Sequence, residues 1–84
     1  MDFFELRGQE IDVQTAPVFE TSLWDASPTG IISDTRLTIH GVVLAKRHRS
    51  SHRQEAYAYI DEDLHSARGI WLQNSATLFK VVEG

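Results

Sequence analysis

The chain has 84 residues, of which 42% are hydrophobic, and carries a formal net charge of −4 at pH 7. This length suits one domain, residues 1–84, built around a single small core. The absence of cysteine excludes disulfides, thiolate nucleophiles and cysteine-ligated zinc.

The segment from Met1 to Arg7 has acidic residues where a secretory signal needs a basic region and a long apolar run. No stretch approaches the roughly 20 consecutive apolar residues of a membrane helix. We therefore expect a soluble, cytoplasmic protein that contacts no membrane.

The first fifteen residues predict a hairpin. Phe4 and Leu6 alternate with their neighbours, Gly8 offers a turn, and Ile11 and Val13 alternate with polar residues. Alternation with a period of two is typical of a half-buried strand.

Two interpretations stay open between residues 16 and 26. Pro17 can begin a short helix that has Phe19 and Leu23 on one face, whereas residues 19–23 equally suit an edge strand. Residues 27–30, Ser-Pro-Thr-Gly, have the composition of a turn.

The most distinctive feature is a predicted hairpin over residues 36–61. Its first arm, residues 36–45, alternates until Gly41, where the phase of the bulky residues slips and a β-bulge is expected. The return arm, residues 55–61, places Tyr57 and Tyr59 on one face. The loop 46–53 has no apolar residue and has two central serines suited to a turn.

After this hairpin, residues 61–69 suit a two-turn helix or a polar loop, since acids come first, Arg68 comes late and Gly69 ends the segment. Residues 70–73 then predict a strand, 74–76 a turn and 77–82 the last strand. Several of these strands carry bulky residues on both faces. One face therefore needs a covering loop or helix, or a partner subunit.

Together these elements predict an all-β or β-rich α+β domain. We expect a small barrel or a curled antiparallel sheet of five to six short strands, with at most one or two short helices. The strand, tight turn and final strand at the end resemble small five-stranded barrels of the Src-homology-three type. This resemblance is one of topology and covers about the last 45 residues. The polyproline-binding motifs of that family are not recognisable in this chain.

Charge is distributed unevenly. The loop 46–53 has a net charge of +4 and contains no acidic residue. Because the whole chain has a net charge of −4, the rest of the chain carries −8. An acidic body argues against nucleic acid wrapped over a broad surface, but a cationic loop can contact a few phosphates or an acidic protein patch.

The main functional hypothesis is a non-enzymatic interaction module that associates with itself, as a homo-oligomer such as a dimer, or with another protein. The alternative is a nucleic-acid-binding module in which the loop binds phosphates and the tyrosines stack on bases. A third interpretation is a loop that is merely solvated. The predicted partner-binding residues are Lys46, Arg47, Arg49, Arg53, Tyr57, Tyr59 and Trp71.

Catalytic and metal-binding patterns are weak. His48 and His52 are four residues apart, with His65 and the acids of 61–63 nearby, but the neighbouring guanidinium groups repel a cation. His40 follows a serine and an aspartate without any nucleophile-elbow pattern. We therefore predict no enzyme activity, no metal and no cofactor.

Overall fold

The computed structural model describes residues 2–63 and 65–83. One turn of 3-10 helix (Phe3–Leu6) is followed by six strands: β1 (Glu10–Val18), β2 (Gly30–Thr38), β3 (Gly41–Ala45), β4 (Glu55–Tyr59), β5 (Gly69–Trp71) and β6 (Leu78–Val81). They form two antiparallel three-stranded sheets, with the orders β2-β1-β6 and β3-β4-β5. The broad prediction of a β-rich fold is confirmed. Two small sheets are present instead of the predicted barrel or single curled sheet. No described helix is long and apolar enough to cross a membrane.

The predicted N-terminal hairpin is wrong in its first arm. Residues 3–6 form the 3-10 turn because the side chain of Asp2 caps it, accepting a hydrogen bond of 3.0 Å from the amide of Phe4. Leu6, the last residue of this turn, is buried. The second arm is correct, and it continues to Val18 as β1, the central strand of the first sheet.

The predicted arm 36–45 is divided between the two sheets. The amide of Ile39 donates to the carbonyl of Gln9 (2.9 Å), whereas the next amide, that of His40, donates to Tyr59 (2.9 Å). The backbone thus passes from its hydrogen-bond partners near the first sheet to those of the second sheet between Ile39 and His40. The phase slip before Gly41 marks this crossing between sheets and not a bulge within one ladder. The hairpin of β3 and β4 is confirmed, with Val43 opposite Tyr57.

The C-terminal part contains no helix among residues 61–63 and 65–69. Acidic side chains instead close turns: Asp63 accepts from the amide of His65, and Asp61 accepts from the hydroxyl of Ser66, both at 2.9 Å. The expected turn after β5 is present, but β5 pairs with β4 while β6 pairs with β1. The last two strands therefore lie in different sheets.

Two apolar clusters hold the fold together. The larger lies between the sheets and includes Ile11, Ile39 and Ile70. The smaller lies on the other face of the second sheet, where Tyr57 and Trp71 pack against Phe19.

The segment 19–29, here called the strap, crosses this second face. Phe19 and Ala26 pack on the aromatic cluster, and Phe19 exchanges two backbone hydrogen bonds of 2.9 Å with Gly69. Apart from this single β-bridge, the strap forms neither the short helix nor the edge strand that the sequence leaves open for residues 16–26. A loop therefore covers the second apolar face of these strands.

Candidate docking surface

The tip of the strap meets the tip of the basic hairpin at Asp25. The amide of Asp25 donates to the carbonyl of Arg47 (3.0 Å), and its carboxylate accepts from the amide of Arg49 (3.4 Å). His48 Nδ1 lies 3.5 Å from the same carboxylate. Asp25 has a φ of 59°, a left-handed conformation that aspartate tolerates better than most residues. This one residue therefore joins two loops that are far apart in sequence.

Two large apolar side chains precede this junction and remain exposed. Leu23 is 66% and Trp24 is 52% accessible. They stand outward because Phe19 and Ala26, at the two ends of this stretch, are the residues that pack on the aromatic cluster. The junction thus joins the loop that carries these apolar side chains to the loop that carries the exposed cations. We define the loop surface as Leu23, Trp24, Lys46, His48 and Arg49.

The four predicted cations of the hairpin loop have different roles in the structure. Nε of Arg47 lies 3.2 Å from Oε2 of Glu55, with the two side chains only 26% and 16% exposed. Arg47 is therefore committed to closing its own hairpin. Lys46, Arg49 and Arg53 are exposed and form no ion pair with any described residue. Their charge remains available to a partner.

The predicted aromatic anchors lie mostly in the core. Tyr57 and Trp71 are 0% and 1% exposed, and their ring centroids are 5.0 Å apart in an edge-to-face arrangement. Tyr59 is partly buried and meets Tyr57 edge-to-face at 5.4 Å. Tyr57 and Trp71 could contact a partner directly only if the strap were displaced.

The hydroxyl of Tyr57 fixes the ring inside this cluster. It donates to the carbonyl of Ala67 at 2.6 Å. Burial raises the pKa of Tyr57 far above its ordinary value, so the phenol stays protonated and keeps this hydrogen bond at all physiological pH values. The hydrogen bond therefore helps to hold the buried ring in place.

Gly69 is required where the ring of Tyr57 crosses β5. A Cβ atom at this position would lie 2.8 Å from Cε1 of Tyr57 and would also collide with the carbonyl of Ala58. The sequence predicts Gly69 as the end of a two-turn helix or of a polar loop. The structure shows a different reason for the glycine, the close approach of a ring to the backbone.

The weaker catalytic and metal candidates are dispersed. His40 uses its amide to join the sheets, and Asp61 is held by Ser66 and by Nε of Arg68 at 3.2 Å. Within residues 2–63 and 65–83, no group of three histidine or acidic side chains is placed to hold a metal ion.

Sequence reasoning missed Leu23, Trp24 and Asp25 as site residues. The available signal was a tryptophan next to an aspartate in the segment 16–26, whose pattern leaves a short helix and an edge strand equally open. Large apolar residues in such turn-rich segments either anchor the loop or face a partner. Only the tertiary packing shows that Phe19 anchors the strap and that Trp24 stays exposed.

Comparison with protein-family models, with curated proteins and with solved structures finds no match. The function therefore has to be argued from the geometry of the surface itself.

Proposed function

We propose that this protein is a non-enzymatic interaction module that binds an acidic protein partner through the loop surface. Trp24 is the apolar anchor, and Lys46 and Arg49 supply the charge. The observation that carries the proposal is the junction at Asp25, which joins the loop with the exposed Trp24 to the loop with the exposed cations.

The chemistry of this surface suits such a partner. Tryptophan and arginine are the residue types most often found at the energetic centre of protein interfaces. A tryptophan that is half exposed can bury the remainder of its ring in an apolar pocket, while the cations pair with carboxylates around it. These charges also increase the association rate, because the opposite potential attracts the partner before contact.

Nucleic acid is the second candidate, because Trp24 could stack on a base and Lys46, Arg49 and Arg53 could contact phosphates. The tyrosine pair that first suggested this function contributes little, since Tyr57 is fully buried. The body carries −8 outside the loop, which repels a polyanion longer than the loop itself. A short acidic protein segment avoids that repulsion.

The test is a fluorescence-anisotropy titration of two labelled probes. One is an acidic peptide of alternating glutamates and leucines, and the other is a mixed-sequence single-stranded oligonucleotide of equal net charge. We expect the peptide to bind more tightly at physiological salt. Trp24→Ala should weaken peptide binding by at least about tenfold, as expected for an interface anchor. Arg49→Glu should also weaken binding, and its effect on the affinity should be larger at low salt than at high salt.

Ile31→Ala is the matched control, since Ile31 is 73% exposed but lies outside the loop surface. It should leave the affinity unchanged. Tighter binding of the oligonucleotide, with a steep loss of affinity as salt increases, would favour the nucleic-acid function instead. Absence of binding to both probes at low salt, or equal loss in the Trp24 and Ile31 variants, would contradict the proposal.

A second copy of this chain is also an acidic partner, because its body carries the excess negative charge. Light scattering of the purified protein at several concentrations separates this case. If the protein is a dimer and Trp24→Ala dissociates it, then the loop surface mediates self-association.

A further inference from the structure

The charge at the junction of the two loops has the opposite sign from the charges around it. Asp25 is an exposed acid between the exposed Trp24 and the cationic hairpin loop. A carboxylate at this point repels an acidic partner, since like charges brought together across an interface are unfavourable. The acid is therefore explained by what it does within the protein.

The polar contacts of Asp25 run to the backbone and side chains of the hairpin. Its amide donates to the carbonyl of Arg47 at 3.0 Å, and both of its carboxylate oxygens lie 3.4 Å from the amide of Arg49. Its Oδ1 atom also lies 3.5 Å from Nδ1 of His48. We call these contacts the clasp. Three consecutive residues of the hairpin tip are thus bound by one residue of the strap.

The clasp is the only polar link between the two tips. Within the ranges that the structure describes, no other hydrogen bond or ion pair joins residues 20–28 to residues 46–53. Asp25 also has a φ of 59°, a left-handed conformation that costs energy in residues other than glycine. Strained backbone of this kind persists where surrounding contacts hold it, and it is frequent at ligand-binding positions.

The clasp limits how far Trp24 can lie from Arg49. Neighbouring Cα atoms are about 3.8 Å apart, and the carboxylate of Asp25 lies 3.4 Å from the Arg49 amide. The Cα atoms of Trp24 and Arg49 are therefore at most about 12 Å apart. An extended partner segment of about four residues spans that distance. One continuous segment can thus meet Trp24 with an apolar side chain and Arg49 with a carboxylate.

We propose that Asp25 is a positioning residue of the loop surface. It holds Trp24 and Arg49 in one arrangement through the clasp. The surface therefore selects a partner segment in which an apolar side chain and a carboxylate are only a few residues apart. This role rests on the proposed function, and it adds the spacing that the acidic partner must have.

Loss of the clasp should affect two kinds of ligand in opposite directions. A ligand that uses both Trp24 and Arg49 must then order the strap tip as it binds, and its apparent affinity falls with the fraction of molecules already in the bound arrangement. A ligand that uses only the cations gains, because a nearby negative charge has been removed. If Asp25 were merely a surface charge, its removal would strengthen the binding of both ligands.

The test is a fluorescence-anisotropy titration with two labelled peptides of equal net charge. One is the peptide of alternating glutamates and leucines, and the other has glycine in place of each leucine. In Asp25→Ala, the affinity for the glutamate-leucine peptide should fall about fivefold, because the bound arrangement becomes a minor one. The glutamate-glycine peptide should bind up to about twofold more tightly at low salt.

Two further variants separate the clasp from the charge. Asp25→Asn keeps a side-chain acceptor for the Arg49 amide and tolerates the positive φ, so it should bind the glutamate-leucine peptide at least as tightly as the wild type. Glu20→Gln is the matched control, because it removes an acid from the same strap that contacts Thr29 (3.3 Å) and not the hairpin. It should not weaken the binding of either peptide. Urea denaturation checks that each variant is folded.

The outcomes distinguish this role from the proposed function. Tighter binding of the glutamate-leucine peptide by Asp25→Ala, while Trp24→Ala still weakens it, would overturn the role of Asp25 and leave the proposed function intact. Equal weakening of both peptides by Asp25→Ala would also overturn it, since that pattern indicates a distorted hairpin. If the wild-type protein binds neither peptide at low salt, the proposed function and the role of Asp25 are both wrong.

Discussion

The two tryptophans of this chain occupy opposite environments although both depend on the same strap. Trp71 is 1% exposed and lies under Phe19, whereas Trp24, five residues after Phe19, is 52% exposed. The base of the strap thus completes the core, and its tip contributes Leu23 and Trp24 to the loop surface. A short irregular segment can therefore cover one aromatic residue and present another.

The difference shows what decides exposure in a domain this small. The second sheet has bulky residues on both faces, and only one face can meet the first sheet. The other is covered by a loop, because leaving Tyr57 and Trp71 in water would forfeit the burial of two large rings. Leu23 and Trp24, which are not needed for this covering, remain exposed.

Truncation of each tryptophan gives the largest expected contrast. Trp71→Ala should lower the free energy of unfolding by about 4 kcal/mol, the usual cost of removing a buried large aromatic side chain. Trp24→Ala should change it by less than about 0.5 kcal/mol. Urea denaturation followed by circular dichroism measures both. Similar losses in the two variants would mean that the strap tip is packed and not displayed.

Gly69→Ala should be the next most damaging change. The added methyl group would meet the Tyr57 ring and the carbonyl of Ala58, and we expect a loss of about 3 kcal/mol from this overpacking. Gly30→Ala is the matched control, since a Cβ atom there would have nothing within 4 Å. Equal stability of the two variants would show that the ring does not cross β5 as described.

Tyr57→Phe should have an intermediate effect. It keeps the ring in the cluster but removes the hydrogen bond to Ala67, which leaves a carbonyl unsatisfied at a cost of about 1 to 2 kcal/mol. Tyr59→Phe, at a more exposed ring, should cost less. Thermal denaturation of both variants would test the order, and a larger effect at Tyr59 would contradict it.

Asp25→Ala should affect stability less than Tyr57→Phe, by about 1 kcal/mol or less, because the contacts it removes are exposed. Its effect on the strap should be local. Amide hydrogen exchange should become faster near Trp24 and Arg49 but not at Tyr57. Uniform acceleration over the aromatic cluster would mean that the tip contacts hold the whole strap in place.

Much of the fold could be predicted from alternation alone. β1, the hairpin of β3 and β4, and β6 all follow period-two patterns, which depend only on neighbouring residues. The errors occurred where local side chains compete with that pattern. Asp2 caps a turn in a segment that alternates like a strand, and Asp61 and Asp63 close turns where acids also suit a helix start.

The candidate site was harder to predict, because exposure depends on contacts distant in sequence. The basic loop was identified from its composition, but the pairing of Arg47 with Glu55 removed one of its cations. The burial of Tyr57 and Trp71 follows from the strap, and the strap has no periodic pattern of its own. No local pattern around Leu23 and Trp24 predicts that Asp25 joins the tip of the strap to the tip of the hairpin.

The most direct test of the central claim uses the two indole N–H resonances, one for each tryptophan in the chain. In the free protein, the Trp24 indole proton should exchange rapidly with water and that of Trp71 slowly. On titration with the acidic peptide, the Trp24 resonance should move at low peptide concentration while that of Trp71 stays in place. Movement of the Trp71 resonance alone, or of neither, would contradict binding through the loop surface.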